Sequence, residues 1–505
     1  IILKDSRGYA FPTLTGGAAP GVPTRITTED MPVTGSNENT NYLLDDPGTT
    51  TLTSGFPFAT ITVDSTVDDI TLDLAGFNLA PANAGRGILF RGANDVTLTS
   101  TGGFASGSSF VHNYLEPGAT LTIGANFSNG QPIILGGNGF TNYTGVGVTV
   151  TGGTANDTTG LSLTGGIFRF STDQDLTSVE NAKARLRAIN TVIEIGADLN
   201  GATDGDFTYG VGKDPSDTNV DTNLNRRVIF YGDSGHSAAN GKRVANFISE
   251  GVSQPLVWGA NGFLTGSDNN RDHGYTLKLS SVRADGTIEI KNPIDLNVQS
   301  THGRRRTVEV ANGSAAIDAE LSGVLSGGAG LVKTGAGTLL LSGVNTYRGD
   351  THVRAGKLLL GNGAAAGTGR LFIDGSGSLG GTGSSGSATV SGNLAVEIDG
   401  ATSSKLTVNG DLAIGGSTLT VSVLSPATQA SYVIAEYTGT LSGTFGSVPS
   451  GYTVTYDGDN KRIILNVDGG PPPNAFSTYI GAAFPGSSDP LVIGAGADPD
   501  KDGLK

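Results

Sequence analysis

The sequence contains no cysteine among its 505 residues, which excludes disulfide bonds, thiolate metal sites and a cysteine nucleophile. Charged side chains make up only 15% of the residues, against about 25% in an average protein, so long charged helices are excluded. The net charge of -15 argues against a nucleic-acid partner, because binding phosphates requires clustered lysine and arginine. The one basic run, residues 304–306, is interpreted as the exposed start of a strand. No apolar run reaches the roughly 20 residues of a membrane-spanning helix, so we expect no membrane span.

Glycine is abundant: it supplies 79 residues, more than twice the share of about 7% in average proteins. Threonine, serine and asparagine are also frequent between short apolar runs, which indicates many turns between short strands. The printed sequence begins at Ile1 rather than at methionine, and a removed signal peptide accounts for such a start. These features agree with export from the cell.

Short apolar runs with alternating polarity recur through the first third of the chain. They lie at residues 70–74, 96–99, 121–123 and 146–150, and their first apolar positions are 26, 25 and 25 residues apart. Such a steady interval is typical of a solenoid in which each repeat forms one coil. We therefore predict an all-β chain folded as a right-handed β-solenoid (β-helix) with a short C-terminal extension. The competing interpretation is a β-sandwich, which needs hairpin turns about every 8 to 12 residues.

Composition divides the chain into six predicted segments. They are an N-terminal strand donor or cap (1–55), a regular β-solenoid (56–171), a solenoid with lateral loop insertions (172–303), a solenoid that contains a repeat (304–467), a proline linker (468–474) and a docking tail (475–505). At about 22 residues per coil, the solenoid has roughly 18 coils and a length near 90 Å. Within the third segment, residues 178–189 predict a short helix that is capped by Ser178.

One stretch has a specific sequence pattern. Residues 330–349 read GLVKTGAGTLLLSGVNTYRG, and DTHVRAGKL follows at 350–358. This stretch resembles the autotransporter-associated β-strand repeat, and residues 432–445 are similar to the end of many members of that family. The resemblance implies an exported bacterial protein with a β-helical passenger, located on the cell surface or in a matrix. Arg348, Asp350 and His352 stand where the family commonly has threonine or glycine.

The tail of the sequence adds one candidate metal site. The residues after the proline linker are too few for a translocator barrel of at least about eight strands, so none is expected here. The resemblance instead suits large exported proteins that end in an acidic Asp-x-Asp-x-Asp-Gly segment, found here at Asp498, Asp500, Asp502 and Gly503. Alternating carboxylates followed by glycine wrap Ca²⁺ in other proteins, so Ca²⁺ is the one cofactor that the sequence suggests. An acidic tail without an ion is the alternative.

Two patterns raise the question of catalysis. β-Helical enzymes that cut polysaccharides bring carboxylates together on one face of the solenoid. The candidates here are Asp68, Asp69, Asp73, Asp95, Asp268, Arg271, Asp272 and His273. Residues 232–235, Gly-Asp-Ser-Gly beside His236, are similar to a serine nucleophile loop. Solvated turns explain both patterns without a catalytic set, so we predict no enzyme activity and assign no catalytic residue.

The two ends of the predicted rod suggest assembly. A coil stack ends in open strand edges, which pair with another chain unless a cap covers them. Short apolar strands lie near both ends of the sequence, at Ile1, Ile2 and Leu3 and at Leu491, Val492 and Ile493. We predict that they complete the sheets of neighbouring copies and join them head to tail into a homopolymer. The alternative is that each tail folds back onto its own rod.

The predicted function is therefore that of a secreted structural protein, a self-assembling extracellular fibre or surface matrix subunit. An adhesin that binds extracellular glycans is the alternative, and a polysaccharide lyase or hydrolase is the third hypothesis.

Overall fold

The chain is all-β in the part that the structure describes. The computed structural model describes the N-terminal strands 3–5, 8–10, 12–13 and 24–25, and residues 29–34, 36–37, 39–81, 86–99, 103–105, 109–124, 126–129, 133–144, 148–150, 160–170, 185–196, 210–211, 227–249, 252–253, 255–260, 263–264, 274–297 and 305–469. Every regular element within these ranges is a β-strand. None of the described residues forms a helix long and apolar enough to cross a membrane.

One sheet of sixteen parallel strands, called the long sheet below, runs through the whole described rod. Its strands are Gly48–Thr51, Ile70–Asp73, Val96–Thr99, Thr120–Ile123, Phe140–Tyr143, Ile167–Phe170, Val192–Ile195, Ser234–Ala238, Leu277–Leu279, Arg305–Val310, Gly330–Thr334, Thr351–Val353, Leu371–Ile373, Ala388–Val390, Leu412–Ala413 and Leu441–Ser442. Adjacent strands in this sheet come from successive coils, which confirms the predicted β-solenoid.

Two further sheets complete the front part of the rod, before about residue 240. The front ten-stranded sheet contains Glu29–Asp30, Asn41–Leu44, Thr60–Ser65, Arg86–Gly92, Ser109–Leu115, Ile133–Gly137, Gly160–Thr164, Arg185–Ile189, Gly210–Val211 and Arg227–Tyr231. The front five-stranded sheet contains Phe56–Phe58, Leu79–Pro81, Gly103–Ala105, Asn126–Asn129 and Val148–Val150. One strand of each sheet in turn makes a coil with three faces.

Different sheets form the second and third faces of the rear part. The rear nine-stranded sheet contains Arg243–Ala245, Ile288–Ile290, Ala319–Leu321, Thr338–Leu341, Gly356–Leu360, Gly377–Gly381, Asn393–Asp399, Thr402–Ser403 and Thr418–Ser425. A three-stranded sheet contains Leu256–Val257, Ile294–Asp295 and Leu325–Ser326, and a rear five-stranded sheet contains Ser384–Ser385, Leu406–Val408, Ser431–Tyr437, Tyr452–Asp457 and Arg462–Val467. Three antiparallel pairs stand apart: Leu3–Asp5 with Gly8–Ala10, Pro12–Thr13 with Thr24–Arg25, and Ile248–Ser249 with Val252–Ser253.

The register of the long sheet explains the continuous core. Ile70 pairs with Val96, and Val96 pairs with Leu121, as the sequence interval predicts. These three side chains are fully buried, while the alternating threonines between them face outward. Each such buried side chain contributes about 1.5–3 kcal/mol to the stability of the fold. The core is continuous because equivalent positions of successive coils stack on one another.

Three details of the sequence prediction are wrong. The fourth run, 146–150, does not continue this row: Val148–Val150 lies in another sheet, and Thr141 is the partner of Leu121. Alternating polarity in the sequence indicates a strand. It does not indicate which of the three faces of the coil the strand joins, because the number of residues per coil varies. Coils also begin before residue 56, since Gly48–Thr51 pairs in parallel with the next strand of the long sheet.

The predicted helix at 178–189 is the third error. The described part of that stretch, Arg185–Ile189, is a strand that pairs with Gly160–Thr164 and with Arg227–Tyr231. Pairing on both sides of the strand outweighs the local helix propensity of its residues. The sixteen long-sheet strands are close to the roughly 18 coils expected, and at about 4.8 Å per step they span about 72 Å.

Candidate functional site

Aspartate carboxylates at the corners of the solenoid bind the backbone of the following coil. Asp69 Oδ1 accepts the N–H of Asp95 at 2.9 Å, and Asp95 Oδ1 accepts the N–H of Thr120 at 2.7 Å. The same link recurs from Asp233 to Thr276, from Asp318 to Thr338, from Asp350 to Arg370 and from Asp411 to Thr440. Each carboxylate satisfies a backbone donor where a strand begins, so these aspartates fasten one coil to the next.

The corner links account for the described members of the predicted carboxylate set. Besides Asp69 and Asp95, Asp68 Oδ1 accepts the N–H of Asp69 at 2.8 Å, and Asp73 Oδ1 accepts the N–H of Ala75 at 2.9 Å. The structure thus brings Asp69 and Asp95 together on successive coils, and it employs all four carboxylates in turns. The other candidates, Asp268, Arg271, Asp272 and His273, lie outside the described residues.

The Gly-Asp-Ser-Gly pattern at 232–235 forms the turn before a buried strand. The Ser234 side chain is fully buried, and its Oγ lies 3.2 Å from Ala188 O and 3.1 Å from Tyr231 O, as a donor to backbone carbonyls. The Oγ also accepts the N–H of Thr191 at 3.3 Å. A hydroxyl that is enclosed and bonded in this way cannot reach a substrate, so the pattern is structural.

His236 lies in an aromatic cluster of the core rather than beside a nucleophile. Its ring centroid is 5.3 Å from that of Phe230 and 5.8 Å from that of Phe247, and its Nδ1 is 3.2 Å from Ile193 O. Burial lowers the pKa of His236 from 6.5 to about 4, and the bond to Ile193 O opposes this shift. His236 is therefore neutral in the folded protein at neutral pH.

Acid should destabilise the wild type more than a His236→Phe variant. The folded state keeps His236 neutral where the unfolded chain binds a proton, so its contribution is complete above about pH 6.5 and is lost as the pH falls toward about 4. A shift from 6.5 to about 4 corresponds to a loss of about 3 kcal/mol. Urea unfolding at several pH values between about 7 and about 4 measures the difference in the free energy of unfolding between the two proteins. An equal loss in both would contradict this assignment.

A fully buried carboxylate, Glu194, joins four coils on the long sheet. Its Oε1 accepts bonds from Nε and Nη2 of Arg169, both at 2.6 Å. Its Oε2 accepts the hydroxyls of Ser237 at 2.8 Å and of Ser281 at 2.7 Å. Every oxygen of this buried charge is therefore paired, which is the condition under which a buried carboxylate stabilises a fold.

The loop that carries Ser281 also reaches back over the front coils. Arg283 donates to Thr120 Oγ1 at 3.1 Å and to Ala119 O at 2.9 Å. Its guanidinium lies 4.6 Å from the ring centroid of Phe140, and that of Arg169 lies 5.0 Å from the same ring. Two cations over one aromatic ring stabilise the contact. The loop thus ties the rear part of the rod to the front part across residues 163 positions apart in sequence.

The repeat-like stretch contains a lysine in a core position. Lys333 pairs in register with the buried Val308 and Val353, and its own side chain is fully buried. Its Nζ donates to Thr334 O at 3.0 Å, to Gly335 O at 2.8 Å and to Ala355 O at 2.9 Å. Three donors thus meet three carbonyls at the corner of the coil. Burial lowers the pKa of Lys333 to about 8, although the charge of Asp318 opposes the shift.

Glycine is required at the same corner. Gly335 has φ +74°, and a Cβ there would lie 2.3 Å from Val310 O. Gly356 has φ +67°, and a Cβ there would lie 2.6 Å from the Nζ of Lys333. A larger residue at either position would strain the backbone and displace a neighbour.

Two of the residues that depart from the family pattern face the outside of the long sheet. Asp350 forms an ion pair with Arg370 of the next coil at 3.0 Å. His352 stacks on Phe372 of that coil, with ring centroids 4.7 Å apart. Arg348, the third departure, is exposed. These departures therefore form contacts between coils, and nothing in their geometry indicates a catalytic set.

Arg306 corrects the interpretation of the basic run. Arg305–Val310 is a strand, but Arg306 is buried, and it donates to Leu296 O and to Asn297 O, both at 2.7 Å. Strand alternation places every second residue inside, but alternation does not indicate that carbonyls accept hydrogen bonds from this guanidinium.

The predicted metal and assembly residues fall mostly outside the described part of the chain. This is so for Asp498, Asp500, Asp502, Ile1, Ile2, Leu491, Val492 and Ile493. Leu3 belongs to the strand Leu3–Asp5, which pairs with Gly8–Ala10. Within the described ranges, no group of three or more histidine or acidic side chains is placed to hold a metal ion.

Comparison with known proteins supports the repeat. Residues 331–360 match the family described as Passenger-associated-transport-repeat, which confirms the autotransporter-associated repeat in this chain. A stretch of 73 residues is 48% identical to a protein named extracellular serine protease from Serratia marcescens. That match covers 14% of this chain and 7% of the relative, so the two share only a short segment. No solved structure matches the chain.

Proposed function

We propose, from the passenger-type repeat within a β-solenoid, that this chain is a structural rod of an exported protein. The long sheet of sixteen parallel strands is the observation that supports the proposal most, because it passes through the repeat at Gly330–Thr334 and Thr351–Val353 without interruption. A rod of stacked coils places whatever it is attached to at a distance from the cell, which is a mechanical rather than a chemical role.

The chemistry of the described residues also favours a structural role. The carboxylates at the corners, Ser234, Glu194 and Lys333 all bind other parts of the rod. The relative from Serratia marcescens is named a protease, but the shared segment is 7% of its length. We therefore propose that this rod has no protease or polysaccharide-cleaving activity of its own.

Immunogold labelling of intact cells of the source organism tests the proposed location. Antibodies against the purified protein should label unpermeabilised cells or the material around them. Labelling only after permeabilisation would contradict export.

The finer part of the proposal is assembly. We propose that rods join head to tail and that the strand at Leu491, Val492 and Ile493 completes the front of a neighbouring copy. Heterologous contacts of this kind continue into a filament instead of closing into a dimer.

Deleting residues 475–505 should leave a folded rod that no longer assembles. The reason is that the deletion removes the proposed donor strand and leaves all described strands intact. Light scattering and negative-stain images at high protein concentration measure assembly, and far-UV circular dichroism checks the fold. Normal polymerisation of the truncated protein, or a monomeric full-length protein, would refute tail-mediated assembly.

A further inference from the structure

The last strand of the rear nine-stranded sheet, Thr418–Ser425, is an edge strand with little protection. Its eight residues, TLTVSVLS, include no charge and no proline. Proteins usually blunt edge strands with charges, prolines or bulges, because a free edge pairs with other chains. The only irregularity is a register shift that leaves Leu424 without a partner at the end of the strand. Residues 419–423 therefore form a regular, uncharged edge.

One side of this strand is paired, and the other is open over most of its length. The N–H of Thr418 points to the preceding coil, and that of Leu419 points the opposite way, to Ser447 O at 2.9 Å. N–H groups alternate in direction along a strand, so those of Val421 and Val423 also point to the Ser447 side. Within the described ranges, the single bridge at Ser447 is the only pairing on that side.

The apolar row on the inner face of this strand loses its cover toward the end. Leu419 is 1% exposed, Val421 is partly buried, and Val423 is 50% exposed. Leu424 on the other face is 67% exposed. In the preceding coil, the inward residues Leu394, Val396 and Ile398 are all buried. Within the described ranges, no strand covers Val423 as the preceding coil's neighbours cover Ile398.

The chain supplies a suitable strand close to this edge. The N–H of Val467 binds Ala430 O at 2.9 Å, and Ala430 is five residues after Ser425, so the described chain leaves the rod near the end of the edge strand. The sequence continues for 36 residues, to Lys505. Three prolines span about 9 Å when extended, and pairing with the open residues 420–423 takes about 14 Å of strand, so the tail is long enough.

The chemistry of the tail also matches the edge. Residues 470–488 contain no charged side chain, and residues 476–480 read FSTYI, a pattern of aromatic, β-branched and hydroxyl side chains suited to a strand. A chain that approaches from the Ser425 end runs antiparallel to Thr418–Ser425. Antiparallel strands already end the adjacent face, where Arg462–Val467 pairs with Ser431–Tyr437.

We infer that residues 476–480 dock antiparallel on Thr418–Ser425 of their own rod and complete the rear nine-stranded sheet. A strand tethered a few residues from its acceptor has an effective concentration of the order of millimolar, so docking within one molecule prevails over docking on a second copy. The docked strand covers Val423 and Leu424 and pairs the free N–H groups.

This inference goes beyond the proposed assembly and is independent of it. In this arrangement, residues 476–480 form a cap on their own rod. Leu491, Val492 and Ile493 follow the cap in sequence and remain the strand that pairs with a neighbouring copy. A closed edge also prevents rods from pairing edge to edge without order. Head-to-tail joining then depends on the tail strand alone.

Engineered disulfides in the full-length chain test the docking directly, because the protein has no cysteine of its own. Val423→Cys is combined in turn with a cysteine at each of positions 476–480, and the proteins are oxidised at low concentration. At least one pair should form an intramolecular disulfide in most molecules, since paired strands bring Cα atoms within about 4.4–6.8 Å. The control is Val282→Cys with the same tail cysteines, because Val282 is 76% exposed and lies elsewhere on the rod; it should form none.

The outcomes separate the alternatives. Disulfides that form only between molecules would show that the tail of a second copy, and not the molecule's own tail, occupies the edge, and this would overturn the cap. The absence of a disulfide at every position would overturn docking altogether. Because deleting residues 475–505 also removes the proposed cap, a deletion of residues 489–505, which keeps 476–480, tests head-to-tail assembly separately from docking.

Hydrogen exchange gives a second measurement on full-length protein. Thr478→Pro with Tyr479→Pro removes backbone donors from the docking strand, so peptides covering 418–425 should exchange about tenfold faster than in wild type. Ser488→Pro, which lies outside the docking strand, should leave the rate unchanged. Equal rates in all three proteins would contradict the cap.

Discussion

Replacing Glu194 with alanine is expected to lower the free energy of unfolding by about 3–5 kcal/mol. The substitution removes the partner of the Arg169 guanidinium and leaves the hydroxyls of Ser237 and Ser281 without their acceptor. Removing one partner of a buried ion pair is costly, because the remaining charge stays desolvated and unpaired. The long sheet should therefore weaken where its front and rear parts meet.

Urea unfolding followed by tryptophan fluorescence measures this effect close to the site. The single tryptophan, Trp258, is buried. It lies in the same coil as the strand Ser234–Ala238, which contains Ser237. Glu436→Ala is the matched control, because Glu436 pairs with Lys405 at 2.7 Å but both side chains are at least 40% exposed. The control should cost less than about 1 kcal/mol. Equal losses in both variants would show that the Glu194 cluster does not hold these coils together.

Lys333→Met is expected to cost about 2–3 kcal/mol in the rear part of the rod. Methionine fills a similar volume, but it removes the Nζ that donates to the carbonyls of Thr334, Gly335 and Ala355. A buried acceptor that loses its partner costs about 1–3 kcal/mol, and relief from burying the ammonium offsets part of the total. Urea unfolding followed by circular dichroism gives the change in stability.

A matched substitution separates burial from charge. Lys357→Met lies in the same repeat, but Lys357 pairs with the half-exposed Glu397, so this variant should lose less than about 1 kcal/mol. The pH adds a second criterion. Between about 8 and 10.5 the folded state has released the Lys333 proton and the unfolded chain keeps it, so the stability of the wild type relative to Lys333→Met should rise across this window. A flat difference would contradict the buried position of the ammonium.

The sequence was sufficient for features that repeat with a constant interval. Ile70, Val96 and Leu121 stack because apolar residues recur at one spacing, and Leu339 and Leu341 in the repeat are buried as their alternation predicts. The interval fails once the coil length changes, which is why it predicts the wrong row for residues 146–150. Periodicity reports which side of a strand is apolar, but not which sheet the strand joins.

The polar interior was out of reach of sequence analysis for a different reason. Glu194 and Lys333 look like ordinary surface charges in alternating strands, and their partners lie up to 87 residues away, as for Ser281. The corner aspartates resemble catalytic candidates for the same reason. In the sequence, an aspartate that binds a backbone N–H cannot be distinguished from one that binds a substrate. Only the positions of neighbouring coils distinguish them.

Negative-stain electron microscopy of the purified full-length protein tests the central claim most directly. A structural solenoid rod predicts straight particles about 72 Å long, from sixteen long-sheet strands at about 4.8 Å per step, joined end to end at high concentration. Compact particles with similar dimensions in all directions would contradict the rod and the structural function built on it.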